Sequence, residues 1–243
     1  MRVVFWGSPD FAVPTLEALL ASAHQVVGVV SQPARPKGRG RNVAATPVTR
    51  RARAAGLPVL SPVKPRGEDF VEGLRAFGAE VFLVAAYGEI LPPAVLEIPP
   101  HGALNVHASL LPAYRGAAPV TRALLDGREL TGVTIMRMEA GLDSGPICLQ
   151  SGEPIRPDDT AGSLAERLAG RGAALAVEAL DLLEAGRLVE IPQDDRLASL
   201  APKVESAEAR LDWSRPTALL ERAARAFDPW PGAWTTWRGE RLK

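Results

Sequence analysis

The chain has one cysteine, Cys148, among 243 residues. A single thiol excludes an internal disulfide and any multi-cysteine metal site, and leaves Cys148 to act as a small buried apolar residue. An excess of charge is also missing, since 28 Lys and Arg balance 28 Asp and Glu. A polyanion would therefore have to be met by a local patch rather than by a global field. No apolar run reaches the roughly 18 residues of a membrane span. The opening residues, MRVVFWGSP, enter a strand and turn at once, unlike a secretory leader. Histidines number three, and the spacing of His101, His107 and Asp143 matches no zinc pattern, so no metal is expected. WGSPDF at the first turn is not GxGxxG, which argues against a dinucleotide-dependent oxidoreductase. The expectation is a soluble, cytoplasmic protein.

What is present is enough apolar material, 47%, for one sizeable core and a smaller second unit. Residues 2–6, 25–30, 81–86, 103–106 and 131–138 read as strands, with helical patterns following the first turn and near 47–55, 68–76 and 117–126. A strand–helix–strand start implies parallel pairing through a right-handed crossover. The fold class is α/β, a Rossmann-like open, mostly parallel sheet with flanking helices. Residues 160–185 form a long helix that Thr160 can cap and Gly186 can end. Residues 187–202 are polar and irregular and read as a linker. Three of the five tryptophans fall within 230–243, where a strand of a new unit begins. A lone strand cannot bury itself, so that unit is expected to be incomplete. The expected organisation is a chemistry-bearing domain over 1–186, a linker over 187–202 and the beginning of a smaller β-rich domain over 203–243.

Residues 31–53 carry Arg35, Lys37, Arg39, Arg41, Arg50, Arg51 and Arg53 without one Asp or Glu. Prolines and glycines make the stretch a long projecting loop, suited to gripping phosphates locally. AAYGEILP, 85–92, follows a buried strand, where an open parallel sheet presents its ligand crevice; its backbone is expected to line a pocket there, with Ile90 and Leu91 packing.

The stretch 104–119 is the most informative. Asn105 and His107 stand two apart on a strand and share a face, while Leu104 and Val106 turn to the core. Asn offers an amide N–H to a carbonyl oxygen, and His donates, accepts and changes charge near neutral pH. Ser109, Leu110, Leu111 and Pro112 supply an apolar wall with polar edges, suited to a flat heterocycle. In Arg115-Gly116-Ala117-Ala118-Pro119 small residues bring the backbone close to a ligand. GLDSG, 141–145, displays Asp143 between glycines, as an orienting carboxylate for His107.

FWGSPDFA (5–12), SQPARPKGRG (31–40), VAAYGEILP (84–92), LNVHASLLPAYRGAAPV (104–120), TGVTIMRMEAGLDSG (131–145) and FDPWPGAW (227–234) together resemble the methionyl-tRNA formyltransferases, within the folate-dependent formyltransferases. The resemblance runs over essentially the whole chain. The Asn-x-His-x-Ser-Leu-Leu-Pro string and the later Asp mark the superfamily, whereas RGAAP, the basic PxGRG loop and PWPGAW favour the tRNA-acting branch. The resemblance implies transfer of a formyl group from 10-formyltetrahydrofolate, a co-substrate, to the amino group of methionyl initiator tRNA in translation initiation. It casts Asn105, His107 and Asp143 as catalytic. It places Ser109 to Pro112, with Tyr87, Gly88 and Ile90, at the folate. Arg35, Lys37, Arg39 and Arg41 fall at the tRNA, with Arg39 in the loop that reads the acceptor end. It also implies a C-terminal, OB-like barrel that helps hold tRNA, and a monomer. The alternatives are a formyltransferase acting on a sugar-nucleotide amine, or a folate- or RNA-binding fragment without chemistry.

Overall fold

The apolar runs become strands and the helical patterns between them become helices. The computed structural model describes residues 1–37 and 42–243, with the backbone alone for 35–37, 42 and 43. The elements in chain order are β1 (Arg2–Gly7), α1 (Val13–Leu20), β2 (Gln25–Val30), β3 (Arg35–Lys37), β4 (Asn42–Ala44), α2 (Pro47–Ala54), β5 (Val59–Leu60), α3 (Glu68–Ala76), β6 (Val81–Ala85), α4 (Pro93–Leu96) and β7 (Ala103–His107). They continue with α5 (Pro119–Leu125), β8 (Leu130–Arg137), β9 (Ile147–Pro154), α6 (Ala161–Glu184), α7 (Thr217–Ala226), β10 (Thr235–Trp237) and β11 (Glu240–Leu242).

Seven strands form one sheet in the order β5-β2-β1-β6-β7-β8-β9. The first five run parallel, and β8 and β9 are antiparallel additions at one side. This is the expected Rossmann-like, mostly parallel sheet. β6 is buried along its whole length, as a strand covered by helices on both faces must be. Val3, Phe5 and Leu83 join Leu16, Leu19, Leu164 and Leu168 on one face. Val4, Trp6 and Phe82 join Leu74 and Val95 on the other. A side chain on Gly7 would put its Cβ 2.8 Å from Ala12 Cβ and 2.9 Å from Ala85 O, so this glycine serves close packing.

The helix α6 fixes the sheet behind the region of interest. Thr160 and Ser163 form a capping box, each side chain accepting from the other's backbone N–H, and Gly186 follows the helix at φ +66°. Gly172 lets α6 close on β7 and β8, since a Cβ there would lie 2.7 Å from Val106 Cγ1. Asp159, 3% exposed, accepts from Arg156 N–H, Ser163 Oγ and two Arg167 nitrogens just before the helix.

Three expectations change. The part of 31–53 before the expected helix is not all loop, since β3 and β4 pair antiparallel; the helix expected near 47–55 forms over 47–54, capped by Thr46, which accepts from Thr49 N–H, with Pro47 fitting its first turn. The strand β9 was not anticipated, because its charged and glycine residues break the apolar pattern. Residues 187–202 do not run free but fold back onto the sheet domain: Ile191 bridges Ile147, and Leu200 pairs with Arg115. Residues 203–243 hold α7 and the two-stranded β10–β11 sheet. Among the described residues no helix is long and apolar enough to cross a membrane.

Arg167, against the opposing effect of burial, holds the Asp159 carboxyl well below its ordinary 3.8. A depressed carboxylate adds stability above its unfolded value and loses it as pH falls through the folded one. Asp159→Asn should therefore lower stability at pH 7 by about 3 kcal/mol, as expected for breaking a buried ion pair. It should also flatten the loss of stability seen below pH ~4. Urea titrations of both proteins across that range check the sign.

Candidate active site

Alternation along β7 places Leu104 and Val106 in the core under α6 and leaves Asn105 and His107 on the opposite face. On β8, Met136 lies opposite Asn105 and Thr134 opposite His107. The Asn105 side chain is half-buried and makes no hydrogen bond to protein among the described residues, so its amide is available to a ligand.

His107 is 5% exposed. Its Nε2 lies 2.9 Å from the Tyr114 carbonyl oxygen. A carbonyl only accepts, so Nε2 carries a proton and donates it there. That leaves Nδ1 for chemistry, and Nδ1 faces Asp143 Oδ2 at 3.5 Å. The expected orienting role is thus divided. Tyr114 O fixes the ring and its tautomer, while Asp143 stands beside Nδ1. At 3.5 Å the two are adjacent but too far apart for a tight hydrogen bond, and they pair as opposite charges only when Nδ1 takes up a proton.

Both partners are set by one turn, 113–118. Tyr114 takes φ +61° and is tied down by its phenol, which donates to Asp126 Oδ2 at 2.7 Å and accepts from Arg128 Nε at 2.8 Å. Burial, reinforced by Asp126, raises this phenol above its ordinary 10.0 and keeps it a donor. Two residues on, Gly116 N–H donates to Asp143 Oδ2 at 2.8 Å. Asp143 itself sits at φ +49°, a left-handed conformation that Asp tolerates better than most residues. Gly116 of RGAAP makes room for the chain's own 199–201 segment. A Cβ on Gly116 would lie 2.8 Å from Ala201 O, and Arg115 N–H donates to Ser199 O at 2.8 Å.

The wall at 109–112 is partly turned inward. Ser109 is fully buried and its hydroxyl donates to Ala113 O at 2.6 Å, so its side chain shapes the turn. Thr134 Oγ1 donates to Ser109 O, and accepts from Leu111 N–H and from Gln150 Nε2. Its full capacity is used. Gln150 also donates to Leu111 O at 2.8 Å. Leu111 is buried, while Leu110 and Pro112 are half-buried.

A cavity of about 460 Å³ opens at the carboxyl ends of β1, β2 and β6, walled by segments 8–9, 32–33, 44–47 and 86–89. This is where an open α/β sheet takes its ligand. Tyr87 and Gly88 line it. Ser8 Oγ donates to Tyr87 O at 3.2 Å, which draws the two loops together. Burial, then Glu89, pushes the Tyr87 phenol up to about 12. Leu91 packs as expected but Ile90 does not, being 86% exposed. A larger hollow of about 590 Å³ between β9 and α6 holds none of these residues, and its Glu153, Arg167 and Arg171 already pair with one another. Arg39 and Arg41 lie outside the described residues, as do the side chains of Arg35 and Lys37.

Among the described residues, the one grouping of metal-type ligands is His24, Asp181 and Glu184 behind the sheet. There Nε2 faces Asp181 and Nδ1 the terminal amine, each at 3.1 Å, so opposite sides of the ring are occupied. Among the described residues no such grouping lies at Asn105 or His107.

The Tyr114 carbonyl, the Gly116 amide, Thr134 and Gln150 were not legible as site residues, because two act through backbone, Thr134 stands on a strand that read as ordinary sheet, and Gln150 on a strand the apolar pattern did not show. Thr134→Val keeps the shape and removes every hydrogen bond of that hydroxyl. It should cost about 2–3 kcal/mol by leaving the Leu111 amide and the Ser109 carbonyl unpaired in the interior, read as a lower urea midpoint at unchanged slope.

Comparison with known proteins adds the following. Residues 1–180 match the Formyl transferase family and residues 203–243 the Formyl transferase, C-terminal domain family. A methionyl-tRNA formyltransferase of Ruegeria pomeroyi is 51% identical over 243 residues, covering all of this chain and 80% of the relative. That of Streptomyces coelicolor is 49% identical over 244 residues, covering all of this chain and 79% of the relative. Among solved structures, HypX of Aquifex aeolicus in complex with tetrahydrofolic acid superposes with a TM-score of 0.75 at 20% identity, over 99% of this chain and 36% of that one. Glycinamide ribonucleotide transformylase 1 of Symbiobacterium toebii gives 0.66 at 28% identity, over 80% of this chain and 94% of that one.

Proposed function

The chain belongs to the formyl transferase family, and from that premise we propose that it transfers the formyl group of 10-formyltetrahydrofolate to the free amino group of methionyl initiator tRNA. The observation that carries the reading is that Asn105 and His107 share one face of β7 and the Asp143 carboxylate lies 3.5 Å from His107 Nδ1. Identity near 50% along the whole chain to enzymes of that name supports the acceptor.

The acceptor amine attacks the formyl carbon and a new C–N bond forms. Negative charge grows on the formyl oxygen. The Asn105 amide, which has no hydrogen-bond partner among the described residues, donates to that oxygen. Removing one such donor typically raises the barrier by about 2.7–4 kcal/mol. The bond to folate N10 then breaks, N10 gains a proton and the amine loses one. His107 Nδ1 and Asp143 carry that proton between them. The Nε2–H bond to Tyr114 O keeps Nδ1 turned to the reaction. Such proton transfer is worth about 10²–10⁴ in rate. The folate pterin lies between the Leu110–Pro112 wall and the loop of Tyr87, Gly88 and Ile90.

The basic stretch containing Arg35, Lys37, Arg39 and Arg41 meets the acceptor end of the tRNA. Residues 1–186 carry the chemistry, 187–202 connect, and 203–243 belong to the domain that holds the rest of the tRNA. The chain spans about four fifths of the length of the relatives above.

The deciding experiment offers methionyl initiator tRNA and an amino-sugar nucleotide to the protein with 10-formyltetrahydrofolate. Higher kcat/KM on the tRNA is expected, and preference for the sugar nucleotide would overturn the acceptor. Asn105→Ala should lower kcat by about 10²–10³ with an unchanged melting curve. Arg39→Ala should raise KM for the tRNA and reduce the slope of its salt dependence by about one; unaltered tRNA kinetics would take the loop out of the interface.

A further inference from the structure

Three side chains of the connecting segment 187–202 reach the site: Ser199 Oγ accepts from Tyr114 N–H at 2.9 Å, Asp195 pairs with Arg115, and Gln193 meets the Asp143 loop. The Gln193 Nε2 hydrogens go to two carbonyls of that loop, Asp143 O at 2.9 Å and Gly145 O at 2.7 Å. Its Oε1 accepts from Arg115 Nε at 3.0 Å and from a terminal nitrogen of the same guanidinium at 2.8 Å. A glutamine amide has two donor hydrogens and two acceptor lone pairs, and all four are used. Arg115 is 8% exposed, is braced by Asp195 at 2.8 Å, and exchanges backbone bonds with Ser199 and Ala201.

The loop that displays Asp143 has little else to hold it. Gly141 and Gly145 flank the aspartate and make the loop's conformation entropically costly. Among the described residues, the side-chain hydrogen bonds to the backbone of 139–145 are the two from Gln193. The strands pin the loop only at its ends, where Arg137 N–H meets Pro146 O and Ile147 pairs with Ile191. Through Arg115, the same amide also fixes the turn whose Tyr114 O and Gly116 N–H set His107 and Asp143.

We propose that Gln193 is a positioning residue of formyl transfer. Held by the connecting segment, it locks the loop of Asp143 to the turn of His107, so that this segment is a working part of the active site and not a tether. This rests on the reaction proposed above. Misplacement of a catalytic group by about 1 Å costs up to ~10²-fold in rate.

The test uses Gln193→Ala and Gln193→Glu in the full chain. The second keeps an acceptor for Arg115 and loses both donors, so it guards against simple unfolding. Both should lower kcat about 10- to 100-fold, with KM for folate and tRNA changed less than about twofold, because neither substrate is touched. In an Asp143→Ala background Gln193→Ala should add no further loss, since a residue acting through Asp143 has nothing left to position. Amide hydrogen exchange at Gly116 should quicken while that of α6 stays the same. Wild-type kcat in the variants, or an undiminished loss in the Asp143→Ala background, would overturn the proposal. If the wild-type protein formylates no acceptor, the reaction reading fails by itself. Gly116 exchange then decides the positioning alone, and an unchanged rate sinks it.

Discussion

The site depends on keeping one carboxylate oxygen beside one imidazole nitrogen. Asp143 Oδ2 and His107 Nδ1 lie 3.5 Å apart, and neither is placed by a side chain of its own strand or loop. The imidazole is aimed by the Tyr114 carbonyl and the carboxylate by the Gly116 amide, two backbone groups of one turn. That turn is held from three sides. The phenol of Tyr114 anchors it to Asp126 and Arg128, Thr134 and Gln150 brace the 109–111 backbone that enters it, and residues 199–201 pair along it. Behind all of this α6 presses on β7 through Gly172, so the strand that displays Asn105 and His107 has a rigid back.

Charge is arranged to the same end. The chain is neutral, and three of its arginines are spent on joining its parts. Arg122 grips Glu208, Pro202 O and Lys203 O, Arg137 meets Glu190 and His101 O, and Arg115 meets Gln193 and Asp195. Each fork ties the sheet domain to the segment that follows α6, a use that suits the planar guanidinium better than an ammonium. The acid-free stretch 31–53 stands out as local positive charge in a neutral protein. Electrostatics of this kind can meet a polyanion at one place and leave the rest of the surface indifferent.

Much of this was readable from the chain. The apolar runs gave the strands, Thr160 and Gly186 gave the ends of α6, and the alternation Leu104–Asn105–Val106–His107 gave a polar face on a buried strand. Asp143 between glycines was legible as a displayed acid. The illegible parts share a physical cause. Backbone donors and acceptors, such as Gly116 N–H and Tyr114 O, leave no mark in a side-chain pattern. Ser109 looked like a ligand contact because a hydroxyl in a turn is the same letter whether it faces in or out. The segment 187–202 read as a linker because polar, aperiodic residues are what both a free tether and a hydrogen-bonded strap require. Only the fold shows that Gln193 spends its amide on the Asp143 loop.

The central claim is that His107 and Asp143 work as one proton-handling pair. It is tested most directly by single-turnover formyl transfer in His107→Ala, Asp143→Ala and the combined variant. If the two act as a unit, the combined variant is no slower than the worse single variant, within about threefold. If the losses multiply, the two residues act independently, and the 3.5 Å pairing is not what the site is built around.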